Sequence, residues 1–186
     1  MEKLYYTERL VLRIIDKTDA PVVLDYYSRN KEFLEEWEAV KSPEFYTIEY
    51  QENQLDRELK LFEEGNSLRL WLFKKGDISR AIGCIAFSNI VRGAFLSCHL
   101  GYKLDKDEIN NGFISEGISK GIEIIFNEMG LHRIEANIMP KNKRSLRVVE
   151  KLGFYNEGLA LKYLKINGKW EDHIHMVLLN DDDTEK

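Results

Sequence analysis

The sequence predicts an α/β (α+β) fold: a mixed, mostly antiparallel twisted sheet of about 6–7 strands flanked by helices. Three features predict it. Short apolar runs bounded by turn residues recur through the middle and end of the chain, and the last two flank Asn167-Gly168, a dipeptide suited to a tight hairpin. Residues 113–129 switch to a repeat of three to four, with Ile114, Ile118, Ile122, Ile125, Phe126 and Met129 in phase, which is the spacing of one helix face. The resulting order, β, helices, βββ, α, β, α, ββ, is that of one mixed sheet with helices on its faces.

Residues 9–15 (RLVLRII) read as the first strand, with Leu10, Leu12 and Ile14 on one face. Two or three helical patterns follow. Thr18 is placed to cap the first, which holds Val22, Val23 and Tyr26, and Asn30 the second, with Phe33, Leu34 and Trp37 at helical spacing. Thr47 is placed to cap the third, where Leu55, Leu59 and Phe62 share a stripe and Gly65 suits the stop. Residues 68–74 and 81–88 are apolar runs joined through KKGDISR, a hairpin connection, and 94–104 is a third run. The 113–129 helix ends at Gly130. A strand at 131–139 follows, then a short helix at 143–152 with Leu146, Val149 and Leu152 inward, then two strands at about 154–165 and 170–179.

Residues 1–180 are expected to form a single domain, because no repeat, linker or low-complexity stretch interrupts them. The acidic tail at 181–186, with Asp181, Asp182, Asp183 and Glu185, reads as a solvated, frayed terminus. A chain of 186 residues that is 44% hydrophobic and 11% aromatic supplies one sizeable core. The net charge of -5 makes a poor general binder of phosphate backbones, so no direct nucleic-acid partner is expected, although a basic peptide could be attracted. No window approaches the ~18 unbroken apolar residues of a membrane span, and MEKLYYTERL carries acids where a secretory signal needs an apolar stretch. The expected address is cytoplasmic, without a membrane partner. In that setting Cys84 and Cys98, both in strand-like runs, read as buried free thiols rather than a disulfide. No Cys/His spacing matches a zinc site, so no metal is expected.

Two strand-to-helix junctions carry the candidate chemistry. HLGYKLD leads through KDEINNGF into the 113–129 helix, whose first turn offers unpaired backbone N–H groups and a positive dipole end able to hold a pyrophosphate. Gly112 would let the backbone approach such a ligand closely. By themselves these features also suit a helix start that binds nothing. The second junction is Pro140-Lys141-Asn142-Lys143-Arg144-Ser145. Asn142 fits an N-cap or an amide that orients a ligand between the two helices. Lys141, Lys143 and Arg144 form either a solvated basic face or a positive field beside an anion.

The spacing from 100 to 154 resembles the acetyl-CoA core of the GNAT superfamily. More narrowly, NIVRGAF at 89–95, CHLGY at 98–102, HRIEANIMPKNKRS at 132–145, KLGF at 151–154 and GKWEDH at 168–173 are similar to the ribosomal-protein-alanine N-acetyltransferases of the RimJ and RimL type, the RimJ type more so. TERLVLR at 7–13 also looks like that family's opening, while 18–65 carries no recognisable motif. The resemblance implies a GNAT fold and an acetyl-CoA-dependent N-acetyltransferase, with acetyl-CoA as cosubstrate. It implies that Tyr102, Lys103 and Leu104 pair through backbone groups with the pantetheine arm, that Asn110, Asn111, Gly112, Phe113, Ile114 and Ser115 cradle the pyrophosphate, and that Asn142 contacts the coenzyme. It implies that Ser145 protonates the departing thiolate, where the plain alternative is a first-turn hydroxyl bonded to backbone. One departure stands out. The family loop usually reads Gln/Arg-x-x-Gly-x-Gly/Ala, whereas here it is Ile109-Asn110-Asn111-Gly112-Phe113-Ile114, with one of the two usual glycines.

The implied acceptor is a protein N-terminus such as that of a ribosomal protein. An α-amine with a pKa near ~8 needs less help to lose its proton than a lysine near ~10.4. Alternatives are a small amine such as a polyamine or antibiotic, and a CoA-binding member without turnover. The molecule is expected to be a monomer or a homodimer. The glutamate that RimL-like relatives use falls near Leu164 here, which cannot act as a base. Glu135, alternating with Arg133 and Asn137 on a polar strand face, is the substitute, and its plain alternative is an ion-paired carboxylate. His99 is a second titrating candidate near neutral pH, with a hydrogen-bonded interior histidine as its alternative. His132, His173 and His175 read as structural.

Overall fold

The computed structural model describes residues 3–180, so the acidic tail at 181–186 lies outside the described residues. The elements run β1 (Leu4–Tyr6), β2 (Leu10–Arg13), α1 (Ala20–Glu35), α2 (Ile48–Glu63), β3 (Leu68–Lys74), β4 (Asp77–Val91), β5 (Ser97–Leu104), α3 (Phe113–Glu123), β6 (Arg133–Ile138), α4 (Lys143–Lys151), β7 (Tyr155–Ile166) and β8 (Lys169–Leu179). They form one sheet in the order β1-β2-β3-β4-β5-β6-β8-β7. Every neighbouring pair is antiparallel except β5 and β6, which run parallel. The mixed, mostly antiparallel sheet is as expected. Its eight strands exceed the expected count, because β1 has only three residues and shows no inward-outward alternation strong enough to read from sequence.

The period of two along each strand divides the core into two layers. Leu68, Leu70 and Leu72 of β3 pack with α3 and α4 residues such as Ile118 and Val149, while Trp71 and Phe73 of the same strand pack with Val23, Tyr26, Tyr27 and Leu55 of α1 and α2. Leu10 and Leu12 are fully buried as expected, and Cys84 and Cys98 are buried free thiols. Burial raises the Cys84 thiol above its ordinary range and pushes Cys98 up to about 12, so both stay protonated.

The helical region differs from expectation at its caps. The expected break at Asn30 does not occur, and α1 is one helix running through it. Asn30 is buried with its amide satisfied: Nδ2 donates to the Tyr26 carbonyl at 2.9 Å and Oδ1 accepts the Lys106 N–H at 3.0 Å. With both halves occupied it has no tendency to cap. Asp16, not Thr18, caps the short 3-10 turn before α1, through the Thr18 N–H at 2.8 Å. Thr47 caps α2 as expected, and Gly65, at φ 72°, follows its end. The third apolar period is also interrupted: α3 ends at Glu123, and residues 124–128 widen into a π turn before Gly130. The connection between β3 and β4 narrows to Lys75-Gly76, since β4 already begins at Asp77. Asn167 and Gly168, at φ 49° and 82°, form the final hairpin turn as the dipeptide predicted.

α3 lies unusually close to the sheet. A Cβ on Gly121 would stand 2.6 Å from Phe87 Cε2 and 2.8 Å from Ile85 Cδ1, and one on Gly117 would stand 3.0 Å from Leu72 Cδ2. That close approach fixes where the N-terminus of α3 points.

Candidate active site

β5 and β6 pair only over Ser97–His99 and Arg133–Glu135. Beyond that point β5 continues against β4 alone, from Leu100 to Leu104, and β6 continues against β8 from Ala136 to Ile138. The sheet therefore parts, and the second edge of β5 is left with free backbone donors and acceptors. A cleft of about 760 Å³ opens there, between the N-termini of α3 and α4. Phe33, Leu34 and Trp37 near the end of α1 close one side of it.

Nine of the expected residues line this cleft: Tyr102, Lys103, Leu104, Asn110, Gly112, Ile114, Ser115, Asn142 and Ser145. Gly112 is the N-cap of α3 at φ 79°, and Asn110 stands at φ 65°. Both adopt left-handed backbone that glycine and asparagine tolerate best. Asn111 and Phe113 do not line the cleft, because Arg9 draws them to the other side of the loop. Arg9 Nη1 donates to the Asn111 carbonyl at 2.9 Å, its Nε pairs with Glu116 at 2.7 Å, and its guanidinium stands 4.6 Å from the Phe113 ring centroid. Arg9 is thus a clamp on the loop. It lies within the TERLVLR segment, but nothing in its local spacing signals this contact.

At the other helix, Asn142 Oδ1 accepts the Ser145 N–H at 3.1 Å, the N-cap geometry expected of it. The Tyr102 hydroxyl donates to the Ser145 carbonyl at 2.8 Å, tying β5 to the first turn of α4. Burial raises the Tyr102 phenol well above its ordinary range, so it stays a neutral donor. The Ser145 side chain also meets the Tyr102 phenol, an interaction that lowers the phenol without outweighing its burial. Arg144, Arg147, Val148 and Lys151 of α4 also line the cleft. Their spacing of three and four places them on one helix stripe, a signal readable in sequence beyond Arg144 alone. Lys141 and Lys143 do not line it.

The side chain of Lys103 leaves the cleft for the opposite sheet face. Its Nζ pairs with Glu38 at 2.8 Å and stands 5.3 Å from the Tyr27 ring centroid. Burial favours its neutral form, but the Glu38 carboxylate beside it favours the charged one, and its value is raised. On this face a second cavity of about 340 Å³ lies between α1, α2 and the sheet, and its acids are already paired, Glu38 with Lys103 and Glu58 with Arg69 at 3.2 Å. The segment after α1 meets the last hairpin: Asn167 Oδ1 accepts the Val40 N–H at 2.8 Å.

Glu135 is not on the cofactor side. It lies on the opposite face of β6, with Arg133 Nη2 at 2.9 Å, His175 Nδ1 at 3.5 Å and His99 Nε2 at 3.7 Å. Burial raises its carboxyl, but hydrogen bonds from Arg133 and Asn137 and the nearby His175 and His99 more than offset that and hold it below the usual carboxylate range. His99 is 40% exposed on its side chain and contacts Asn89 Nδ2 at 3.2 Å through Nδ1, so it is not the interior residue of its plain alternative. His173 is buried with Nδ1 3.1 Å from the Glu171 carbonyl, consistent with a structural role. Leu164, where a RimL-like glutamate would fall, is 46% exposed on β7. Among the described residues, no cluster of three or more His, Cys, Asp or Glu could hold a metal, and no helix is long and apolar enough to cross a membrane.

A parted sheet with two helix N-termini over the opening suits an enzyme that holds an acyl carrier in the cleft. The chain belongs to the GNAT acetyltransferases: the family model described as an acetyltransferase (GNAT) domain matches residues 9–155. Acetyl-CoA is the acyl donor in this family. The chain is 36% identical over 176 residues to the [ribosomal protein uS5]-alanine N-acetyltransferase of Escherichia coli (strain K12), covering 95% of this chain and 90% of that protein. It is 37% identical over 174 residues to the probable N-acetyltransferase YjcK of Bacillus subtilis (strain 168), covering 94% of this chain and 96% of that one. Its structure is similar to that of the ribosomal-protein-S5-alanine acetyltransferase from Vibrio fischeri, with a TM-score of 0.91, 34% identity, and coverage of 97% of this chain and 98% of that chain.

Proposed function

We propose that this N-acetyltransferase acetylates the N-terminal α-amine of a protein in the cytoplasm, with ribosomal proteins as the acceptor class. The observation that carries this reading is the parted β5/β6 pair, which offers a free strand edge on the cofactor side and a polar face on the other. The uS5-alanine relatives support the acceptor class. In this reading the backbone of Tyr102, Lys103 and Leu104 pairs with the pantetheine arm. The N–H groups of the loop residues that line the cleft, Asn110, Gly112, Ile114 and Ser115, take the pyrophosphate at the positive end of α3, and Asn142 contacts the coenzyme from α4. The altered loop still suits a phosphate, because Gly112 and Asn110 both hold left-handed backbone that turns N–H groups to one side. Arg144, Arg147 and Lys151 add positive charge at the same cleft.

The acetyl group passes from sulfur to nitrogen when a neutral amine, positioned at the thioester carbonyl, attacks it. Ser145 donates a proton to the departing thiolate. Glu135 and its two imidazole neighbours serve the acceptor side, where the amine proton must leave. The pairing of Glu38 and Glu58 with basic residues argues against a polycationic small-molecule acceptor, which would need unpaired acids.

Incubation of Ala- and Ser-starting peptides with acetyl-CoA, read by intact mass, tests the reading. An acetylated product is expected, with kcat lowered roughly 10²-fold by Ser145→Ala at unchanged acetyl-CoA affinity. Absence of acetyl product from all such peptides overturns it.

A further inference from the structure

Among the described residues, Asn137 Oδ1 and His175 Nε2 are neighbouring buried polar atoms with no hydrogen-bond partner; Tyr26 Oη, Trp71 Nε1 and Arg80 Nε, elsewhere in the fold, are the others. Asn137 and His175 are directly opposite each other across β6 and β8, so their side chains rise side by side from one face. Asn137 Oδ1 is a hydrogen-bond acceptor, and His175 Nε2 is one when the ring proton sits on Nδ1. Asn137 already uses Nδ2 as a donor to the Tyr163 hydroxyl at 3.3 Å. His175 turns Nδ1 toward Glu135 at 3.5 Å, and a carboxylate there draws the ring proton to Nδ1 and leaves Nε2 with its lone pair. An unsatisfied pair of acceptors is costly in a protein interior, and the complementary group is one that carries at least two N–H donors. A primary amine is such a group.

The position also suits an incoming amine. Gly101 and Asn137 each stand two residues past the last paired residues, His99 and Glu135, where β5 and β6 part. Gly101 leaves the floor open there, since a Cβ on it would meet nothing within 4 Å. No side chain at Gly101 therefore stands between an amine held by Asn137 and His175 and the edge of β5 that borders the cofactor cleft.

We infer that His175 Nε2, with Asn137 Oδ1 beside it, binds the acceptor amine and takes its proton, and that Glu135 is the positioning residue that orients the imidazole. The inference rests on the acetyltransferase reading and adds the identity of the base. The amine nitrogen forms its bond to the thioester carbonyl carbon as the C–S bond breaks. The nitrogen's proton goes to Nε2, and the thiolate takes one from Ser145, whose hydroxyl is replenished from solvent. The proton on Nε2 leaves to solvent before the next turnover. The charged and titratable groups around His175 are Glu135 and Arg133 on β6, Glu157 and Tyr163 on β7, His173 on its own strand, and His99 on β5 through the shared Glu135 oxygen. Arg133 ties Glu135 to Glu157 and so keeps the orienting carboxylate in place.

The test uses the full chain with acetyl-CoA and an acetylatable peptide, following kcat/KM against pH. The wild type is expected to show the acidic limb that an imidazole base imposes. His175→Gln is expected to lose that limb and to fall ~10²–10³-fold in kcat/KM, with acetyl-CoA affinity and thermal midpoint retained. Glu135→Gln is expected to keep the limb at a lower rate. His132→Gln, a histidine away from the site, keeps both. An independent reading is the imidazole nitrogen NMR of the unliganded protein, which is expected to show His175 protonated on Nδ1 with Nε2 bare. A His175→Gln enzyme with the wild-type rate and limb overturns the inference while leaving acetyl transfer intact. A proton resident on Nε2 overturns it whether or not any peptide is turned over.

Discussion

Gly101 is the residue at which the inferred acceptor site meets β5. It sits on β5 between His99 and Lys103, which fill the same sheet face, and its own position is open. Gly101→Val fits strand backbone but places a branched side chain at that open position. The expected outcome is a fall of at least about tenfold in kcat/KM for the acceptor, since misplacement near the reacting atoms is costly, with acetyl-CoA affinity unchanged by calorimetry. Equal activity in the two proteins would remove Gly101 from the acceptor path. The lining of the cleft was legible in sequence through the resemblance over 100–154, since a strand, a glycine loop and a helix start by themselves also suit a junction that binds nothing. The acceptor half of the site was not. His175 read as structural because its partner Glu135 lies 40 residues earlier on a different strand, and Gly101 read only as part of CHLGY.

Among the elements, α3 joins packing to ligand geometry. Its glycine face lets the helix settle on Ile85, Phe87 and Leu72, and that seat aims its first turn into the cleft. Gly121→Ala keeps good helix propensity yet forces the Phe87 ring and Ile85 to move. The expected result is a loss of about 1–3 kcal/mol of stability by urea denaturation, together with weaker acetyl-CoA binding because the first turn shifts. A variant as stable as the parent would show that the sheet yields freely there. The strongly periodic elements were legible: β3, β4, β6, α3 and α4 follow from their spacing. The misses have local causes. β1 is too short to show a period, and Asn30 looks like a cap until its tertiary contact with Lys106 is known. The turn that interrupts the 113–129 repeat leaves no mark in the apolar pattern.

At the scale of the whole molecule, ionised carboxyls hold distant parts together. Asp105 is fully buried between Arg29 at 2.8 Å and Arg80 at 3.1 Å, joining α1 to the start of β4 and the end of β5. Burial raises its carboxyl, but the Asp107 N–H and the two guanidinium groups outweigh that, and its value is lowered. Glu116 is likewise lowered, burial being outweighed by Thr7 and Arg9. A carboxyl lowered in the folded state contributes its stability above the unfolded value, near ~4, and loses it as pH falls through the folded value. Unfolding free energy is therefore expected to be level near neutrality and to decline below about pH 4. Asp105→Asn is expected to cost roughly 2–3 kcal/mol at pH 7 and to show a shallower acid decline. Denaturation curves at pH 7 and pH 3.5 measure both, and an unchanged acid slope in the variant would assign the decline to other groups. Arg9 carries a related consequence. It grips a loop 102 positions further along, so occupancy of that loop by coenzyme and docking of the opening strands are one linked equilibrium. Whatever fastens the ligand also fastens the first hairpin, and the beginning of the chain becomes a natural reporter of whether the enzyme is loaded.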